Sequence, residues 1–375
     1  MHQKALALAA MMASIAICTG CGTTANNYAY ATLPASNQIA IFREDPNSGV
    51  LTQLSGSPIP AGNGASSLVI HPSGKFLYAA NPGQNENDIS LFDINTDGTL
   101  TEVFPRTTVT PNASLPKTVV MDPSGNFLYV ANTGSNNISI FSIAASTGAL
   151  TQLPNSPVAI NLTPLNMVLS PSASFLFVSA DNAALQPTGV VEVFGVASGV
   201  LTPLGYFPTA GTNPDGLAVN PTGTYLYAAN YGSNSISVLG IGSSGALTTV
   251  QGSPFNGNGY LGPISLTLDP KGQFLYVANQ RSTNVAVYTI SSTTGVPTIL
   301  NVSELSNTSQ STGAFGTEGN PSLVVGDPTG KYLFIGNQGS SAGIQSFSAS
   351  SGNLTEIFTY NVGNTPSSIA ILQTK

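Results

Sequence analysis

Hydrophobic positions in this chain fall in short runs rather than in helical stripes, and the runs repeat. Four kinds follow one another in fixed order, and each occurs seven times. The first mostly opens at Pro and closes near Asp-Pro, as in PKTVVMDP (116–123) and PISLTLDP (263–270). The second is aromatic and apolar: YAYATL (28–33), FLYAAN (76–81), FLYVAN (127–132), FLFVSA (175–180), YLYAAN (225–230), FLYVAN (274–279) and YLFIGN (332–337). The third alternates, as in ISIF (138–141) and VEVF (191–194), and the fourth begins at Gly, as in GALTQL (148–153). Short length, β-branched and aromatic residues, and flanking Gly, Pro, Asn or Asp predict a strand for every run. Between the first two runs stands D-P-S-G or a variant. Pro presets φ there and Gly accepts the left-handed position, so a tight turn is expected.

The second run ends at Leu33, Asn81, Asn132, Ala180, Asn230, Asn279 and Asn337, a spacing of 48 to 51 residues with a final step of 58. Four antiparallel strands about every 50 residues is the period of a propeller blade. No polar capping repeat supports a solenoid. The pattern starts on a second-type strand at Tyr28 and ends on a first-type strand at Ile371. Together these ends make one blade with the C-terminal strand innermost, which hides the sheet edges. The expectation is an all-β, seven-bladed β-propeller of 28 antiparallel strands, one domain over 28–375 with a central channel. The aromatic residues of the second run should fill the spaces between blades. The Asn at its end should close the next turn through side-chain bonds to backbone.

Composition narrows this further. Hydrophobic residues are 41% and charged ones 7%, with 39 Gly and 26 Pro, too apolar for a disordered chain and too rich in turn formers for a helical one. The net charge of −7 argues against a nucleic-acid partner and supplies no polybasic patch for anionic lipid. Residues 1–20 carry Lys4 and an apolar stretch from Ala5 to Ile17, the size of a secretory leader and too short to span a bilayer. CTGC at 18–21 resembles the lipobox of bacterial lipoproteins, with Cys18 where Leu is usual. That resemblance implies cleavage after Gly20, a lipid on Cys21 as the single membrane attachment, a linker over 21–27 and residence in the cell envelope. Cys21 would then be the one remaining cysteine, leaving no intramolecular disulfide. A monomer is expected.

Antiparallel order sorts the charges. The starts of the first-type strands and the connections between second and third strands share one face, the top; the D-P-S-G turns lie at the bottom. Arg106, Lys117, Arg281, Glu86, Asp88, Asp181, Asp215 and Glu318 belong to the top, and Lys75, Lys271, Lys331, Asp122, Asp269 and Asp327 to the bottom. The polar link 301–320 is a candidate lid over the channel, and 103–115 a lesser one. Asp93 to Gly98 resembles the start of a calcium loop but has Phe104 at the twelfth position, so it reads as a turn. His71 fills the turn slot held elsewhere by Asp122 and Asp269. No His, Cys and carboxylate set has metal-ligand spacing, so neither a metal nor another cofactor is expected.

These repeats, P-x-x-h-x-h-D-P-x-G-x-F-L-Y-V-A-N followed by N-x-I-S-V-F and G-x-L-T, resemble the seven-bladed propeller lactonases. That group includes propeller-type 6-phosphogluconolactonases and carboxymuconate cycloisomerases, and YVTN-repeat surface propellers share the phrases. The resemblance implies a lactone-opening site where active members carry Arg and His just after the Pro of first-type strands. Those places hold Ser66-Ser67, Lys117-Thr118, Leu165-Asn166, Asp215-Gly216, Ile264-Ser265, Ser322-Leu323 and Ser367-Ser368 here, with no His. Lactone opening needs a group to activate water and a donor or cation for the developing oxyanion. Asp215 is the candidate base, Lys117 or Arg281 its electrostatic partner, and Asn166, Ser265 and Glu318 candidate substrate contacts. Acids outnumber bases on the top face, so a neutral lactone is expected rather than a phosphorylated one. The other reading is a non-enzymatic cell-envelope propeller that binds a protein or glycan through this face.

Overall fold

The computed structural model describes residues 26–83, 86–109, 112–181, 189–257, 259–300 and 314–374. The leader 1–20, Cys21, most of the 21–27 linker and the greater part of the 301–320 link lie outside the described residues, as does the side chain of Asp181. Seven antiparallel sheets form seven blades. Their inner strands are Ser67–Ile70 (blade 1), Pro116–Met121 (blade 2), Thr163–Leu169 (blade 3), Pro214–Val219 (blade 4), Pro263–Leu268 (blade 5), Asn320–Gly326 (blade 6) and Ser368–Leu372 (blade 7). Blade 7 closes the ring as the sequence predicts. Ser368–Leu372 pairs with Asn27–Leu33, Tyr28 opposite Leu372 and Thr32 opposite Ser368.

Outer strands depart from the regular expectation. Three are continuous, Leu100–Thr108, Val200–Pro208 and Asn353–Asn361. In the other four blades the outer edge is split, as in Leu150–Gln152 followed by Val158–Ala159. In blade 2 the hydroxyl oxygen of Ser156 fills the gap by accepting the Ile140 amide at 2.8 Å. Ser57 and Ser253 do the same for Ile41 and Val238. A side chain thus replaces a missing ladder partner and keeps a buried amide satisfied.

The core lies between blades. Seven apolar clusters each join two neighbouring blades. The second-type strands supply most of them, buried on both faces: Phe127–Asn132, for example, has Leu128, Tyr129, Val130 and Ala131 fully buried. Tyrosines of this strand also reach the next blade. Tyr30, Tyr78 and Tyr227 donate to the carbonyls of Gly98, Gly148 and Gly295. This explains the Gly that opens every fourth run. Gly148 has φ +69°, and a Cβ there would sit 2.8 Å from the ring of Phe76 in the preceding blade. Gly148→Ala is therefore expected to cost about 1–3 kcal/mol in denaturant unfolding, for the left-handed backbone and the displaced ring. Gly56→Ala, at φ +83° with nothing within 4 Å of its Cβ, should cost the backbone part alone. Equal losses at both sites would refute the ring contact as the reason for this glycine.

The repeated Asn residues act differently from expectation. Their amides tie second to third strands mainly through side chains rather than closing the turn on backbone. Asn81 Nδ2 donates to Asp88 and Ser90, Asn132 Nδ2 to Asn137 and Ser139, and Asn230 Nδ2 to Ser235 and Ser237. Asn279 and Asn337 reach Asn284 and Gln345 in the same way. The residue is buried at the sheet's end, so the nearest polar partners are side chains on the facing strand. In the turn at 93–98 Asp97 accepts from the Thr99 amide and hydroxyl, and Asn95 donates to Thr99 and Thr101. His71 packs in its turn, its ring nitrogens on Ser73 Oγ and the Gly125 carbonyl.

Candidate active site

The Pro that opens an inner strand has a geometric consequence. In blades 2 to 6 the register between inner and second strand slips just after that Pro. Pro116 faces Asn132 and Thr118 faces Ala131, leaving Lys117 as an extra residue. Leu165, Ile264 and Ser322 are extra in the same way. In blade 4 the slip spans Pro214 to Leu217 and takes in Asp215 and Gly216. A bulge leaves one residue unpaired and re-aims its side chain. Lys117 and Asp215 thus sit on repeated bulges at the channel's mouth, which is why the copies can differ there without harming the sheets.

These bulges line a cavity of about 410 Å³ on the channel axis, with contributions from all seven inner strands. Lys117, Asn166, Asp215 and Ser265 line it together, as do Ser66, Ser322 and Ser367. Among the described lining residues Lys117 is the one cation and Asp215 the one carboxylate. Hydroxyls stitch neighbouring inner strands around the wall. Ser66 donates to the Lys117 carbonyl, Ser322 to that of Pro366 and Ser367 to that of Ser66, at 2.7–2.8 Å. With their protons committed, these oxygens keep lone pairs for a ligand's hydroxyl groups. Ser265 is the converse: its oxygen accepts the Val324 amide, so its proton is free to donate.

Three consecutive blades carry the candidate groups. Asp215 on blade 4 is half-buried, and burial raises its carboxyl above the usual range, with Lys117 on blade 2 pulling it back. Asn166 on blade 3 lies between them in blade order. Its Oδ1 accepts the Met167 amide at 2.8 Å, so its NH₂ remains as the donor end. Gly216 lets the inner strands of blades 4 and 5 close up behind Asp215: a Cβ there would lie 2.9 Å from the Ile264 carbonyl oxygen and the Ser265 Cα. The arrangement holds a half-buried carboxylate, an exposed ammonium and an amide donor at one mouth.

Arg281 and Glu318 are not among the residues lining this cavity. Arg281 is exposed on the rim, its guanidinium 4.2 Å from the Tyr231 ring centre. Glu318 is exposed, its backbone amide facing Gln345 Oε1 at 3.4 Å. Arg106 is neutralised by Glu102 at 2.7 Å and Glu86 at 3.3 Å. Gln280, Gln338 and Thr365 line the cavity and were not singled out from sequence. Each Gln directly follows the Asn that ends a second strand, a position whose variation from blade to blade is the signal that would have found them. Tyr231 donates its hydroxyl to Gln280 Oε1 at 2.9 Å, orienting that side chain.

The lactonase, 7-bladed β-propeller family matches residues 21–163, 156–261 and 242–303. The chain belongs to that family. Among the relatives of this chain, a 6-phosphogluconolactonase of Formosa agariphila is 43% identical over 99 residues, covering 26% of this chain and 27% of that one. The 6-phosphogluconolactonase of Cronobacter sakazakii is 26% identical over 202 residues, 52% of this chain and 59% of the relative. The matched segments thus span between about a quarter and three-fifths of those relatives. Two solved structures share the fold nearly end to end. A putative 6-phosphogluconolactonase from Bacteroides fragilis has a TM-score of 0.72 at 19% identity, covering 94% of this chain and 99% of that one. The periplasmic gluconolactonase of Pseudomonas aeruginosa has a TM-score of 0.72 at 18% identity, covering 92% and 99%.

Proposed function

We propose that this propeller hydrolyses a neutral, hydroxylated lactone at the top mouth of its channel. The observation that carries the reading is that one half-buried carboxylate, Asp215, and one cation, Lys117, share a cavity otherwise lined by hydroxyl, amide and apolar groups. Asp215 takes a proton from water as its oxygen attacks the lactone carbonyl carbon. Lys117 Nζ and the Asn166 amide receive the developing oxyanion. The ring C–O bond then breaks, and the proton on Asp215 passes to the departing alkoxide, giving the open hydroxy acid. The acceptor-rich wall at Ser66, Ser322 and Ser367 suits the substrate's hydroxyl groups. One cation in the cavity is too few for a phosphate ester, which is best held by a cluster of Arg or Lys. Membership of a lactonase family supports hydrolysis over a purely binding role.

Purified protein should open neutral sugar lactones with a higher kcat/KM than their phosphorylated counterparts, measured by acid release. Preference for the phosphorylated member would overturn the substrate reading, and no turnover on any lactone would overturn the hydrolase. Lys117→Ala should lower kcat about a hundredfold with a smaller change in KM. We further propose export and anchoring through a lipid on Cys21, supported by the leader-like residues 4–21. Cys21→Ser should then move the protein from the membrane fraction to the soluble fraction.

A further inference from the structure

Ser179 stands where the repeat places Ala80, Ala131, Ala229, Ala278 or Gly336, with Thr32 as the remaining exception. It lies behind the cavity wall on the second strand of blade 3 and is fully buried. Its hydroxyl faces two directions, toward Asn166 of its own blade, whose backbone carbonyl is 3.4 Å away, and toward the next blade, where its proton has the shorter bond. It accepts the backbone amide of Asn166 at 3.1 Å and donates to the backbone carbonyl of Asp215, in the next blade, at 3.0 Å. The first bond satisfies an amide beside the Pro164 bulge, and the second anchors the bulged residue of blade 4. We propose that Ser179 is a positioning residue, a buried clamp that fixes Asp215 against Asn166 so that base and oxyanion donor keep one spacing.

The inference rests on the hydrolytic reading above but adds a residue that touches no substrate. Alanine serves at this position in four other blades, so the hydroxyl is not a requirement of the sheet. It is present where two inner strands carrying candidate reactive groups must be held together across a blade boundary. A hydroxyl with both lone pair and proton engaged at about 3 Å is a directional link, whereas the apolar contacts around it are not. Lys117 is the charged group acting on Asp215, and it approaches from blade 2, so loosening blade 4 changes that interaction too.

Three variants test this. Ser179→Ala should lower kcat roughly ten- to a hundredfold with KM little changed. It should also move the acid limb of the kcat/KM profile to lower pH, as water reaches a carboxylate no longer held against the wall. Ser179→Thr should restore most of kcat, since Thr32 fits the equivalent site in blade 7. Ser139→Ala removes a buried hydroxyl that accepts from Asn132, and neither residue lines the cavity, so it should lose similar stability with kinetics intact. The carboxyl titration of Asp215, followed by carbon-13 NMR in wild type and Ser179→Ala, gives a readout independent of turnover. A downward shift of that titration supports the clamp even if no lactone is hydrolysed, an outcome that defeats the functional reading alone. An unmoved titration, or kinetics in Ser179→Ala matching Ser139→Ala, overturns the clamp.

Discussion

Asp215→Asn is expected to lower lactone hydrolysis by roughly a hundred- to ten-thousandfold, the usual worth of a general base, while the propeller still folds. Asparagine keeps the shape, and the bond from Ser179 goes to the backbone carbonyl of residue 215, which the substitution leaves in place. No second carboxylate among the described lining residues stands ready to substitute. The pH dependence follows from the environment. Burial raises the Asp215 carboxyl and Lys117 lowers it, with burial dominant. The base acts as the anion, so kcat/KM should rise as pH climbs through a pKa above the ordinary carboxylate range and level off beyond it. Removing Lys117 takes away the one opposing influence, so the limb in Lys117→Ala should lie at still higher pH. Undiminished turnover in Asp215→Asn, or a limb in the ordinary carboxylate range, would remove Asp215 from the role.

The second large effect concerns stability. Glu44 in blade 7 and Glu192 in blade 3 are almost wholly buried. Burial raises both carboxyls from 4.5 to about 7. Around Glu44, Asp327 and Asp45 add to the rise and Asn27 opposes it; beside Glu192, Tyr206 opposes it through a hydrogen bond. Both oxygens of Glu44 and Oε2 of Glu192 lack a partner of normal hydrogen-bond geometry. Between about pH 4.5 and 7 the folded chain keeps protons that the unfolded chain has released. The contribution of these groups is therefore fully present below the unfolded value, declines as pH rises through that window, and stays lost above it. A full shift is worth on the order of 3 kcal/mol per group. Glu44→Gln should accordingly gain on the order of 1–3 kcal/mol over wild type at pH 8 and nothing comparable at pH 4.5. Denaturant midpoints of both proteins at the two pH values measure this. A difference between variant and wild type that does not change with pH would show that the Glu44 carboxyl is not raised by folding.

Both buried acids also show how far repeats can be read. Glu192 takes the place that Ser90, Ser139 and Ser237 hold in their blades, where each accepts from a neighbouring Asn. In blade 3 that Asn is Ala180, and the paired change is visible in the aligned copies. Its consequence, a buried acid with an unpaired oxygen beside Tyr206 of its own blade, depends on how the strands around it pack. Ser179 is the same kind of case. Its departure from Ala is plain in the alignment, but its two partners belong to strands 13 and 36 positions away.

The fold was legible because a blade is a local pattern: turn formers bound strands, aromatic and β-branched residues fill them, and a fixed period counts them. Closure was legible for a similar reason, since the two ends of the pattern supply complementary parts of one sheet. The charged pair Lys117 and Asp215 could be picked out as the place where copies disagree just after Pro. Arg281 looked equivalent by topology, yet stacking on Tyr231 holds it on the rim. Gln280 and Gln338 stand out only when the blades are compared, and Thr365 not even then, because nothing local distinguishes a polar residue that meets solvent from one that meets the channel. By itself, then, the sequence determined the blades, their number and their order, because these rest on short-range propensity and periodic burial. Which side chains converge at the mouth, and how their charges are tuned, was decided by the ring. Bulges separated by about 50 residues become neighbours only when seven sheets close on one axis, and there Asp215 is half-buried while Lys117 stays exposed.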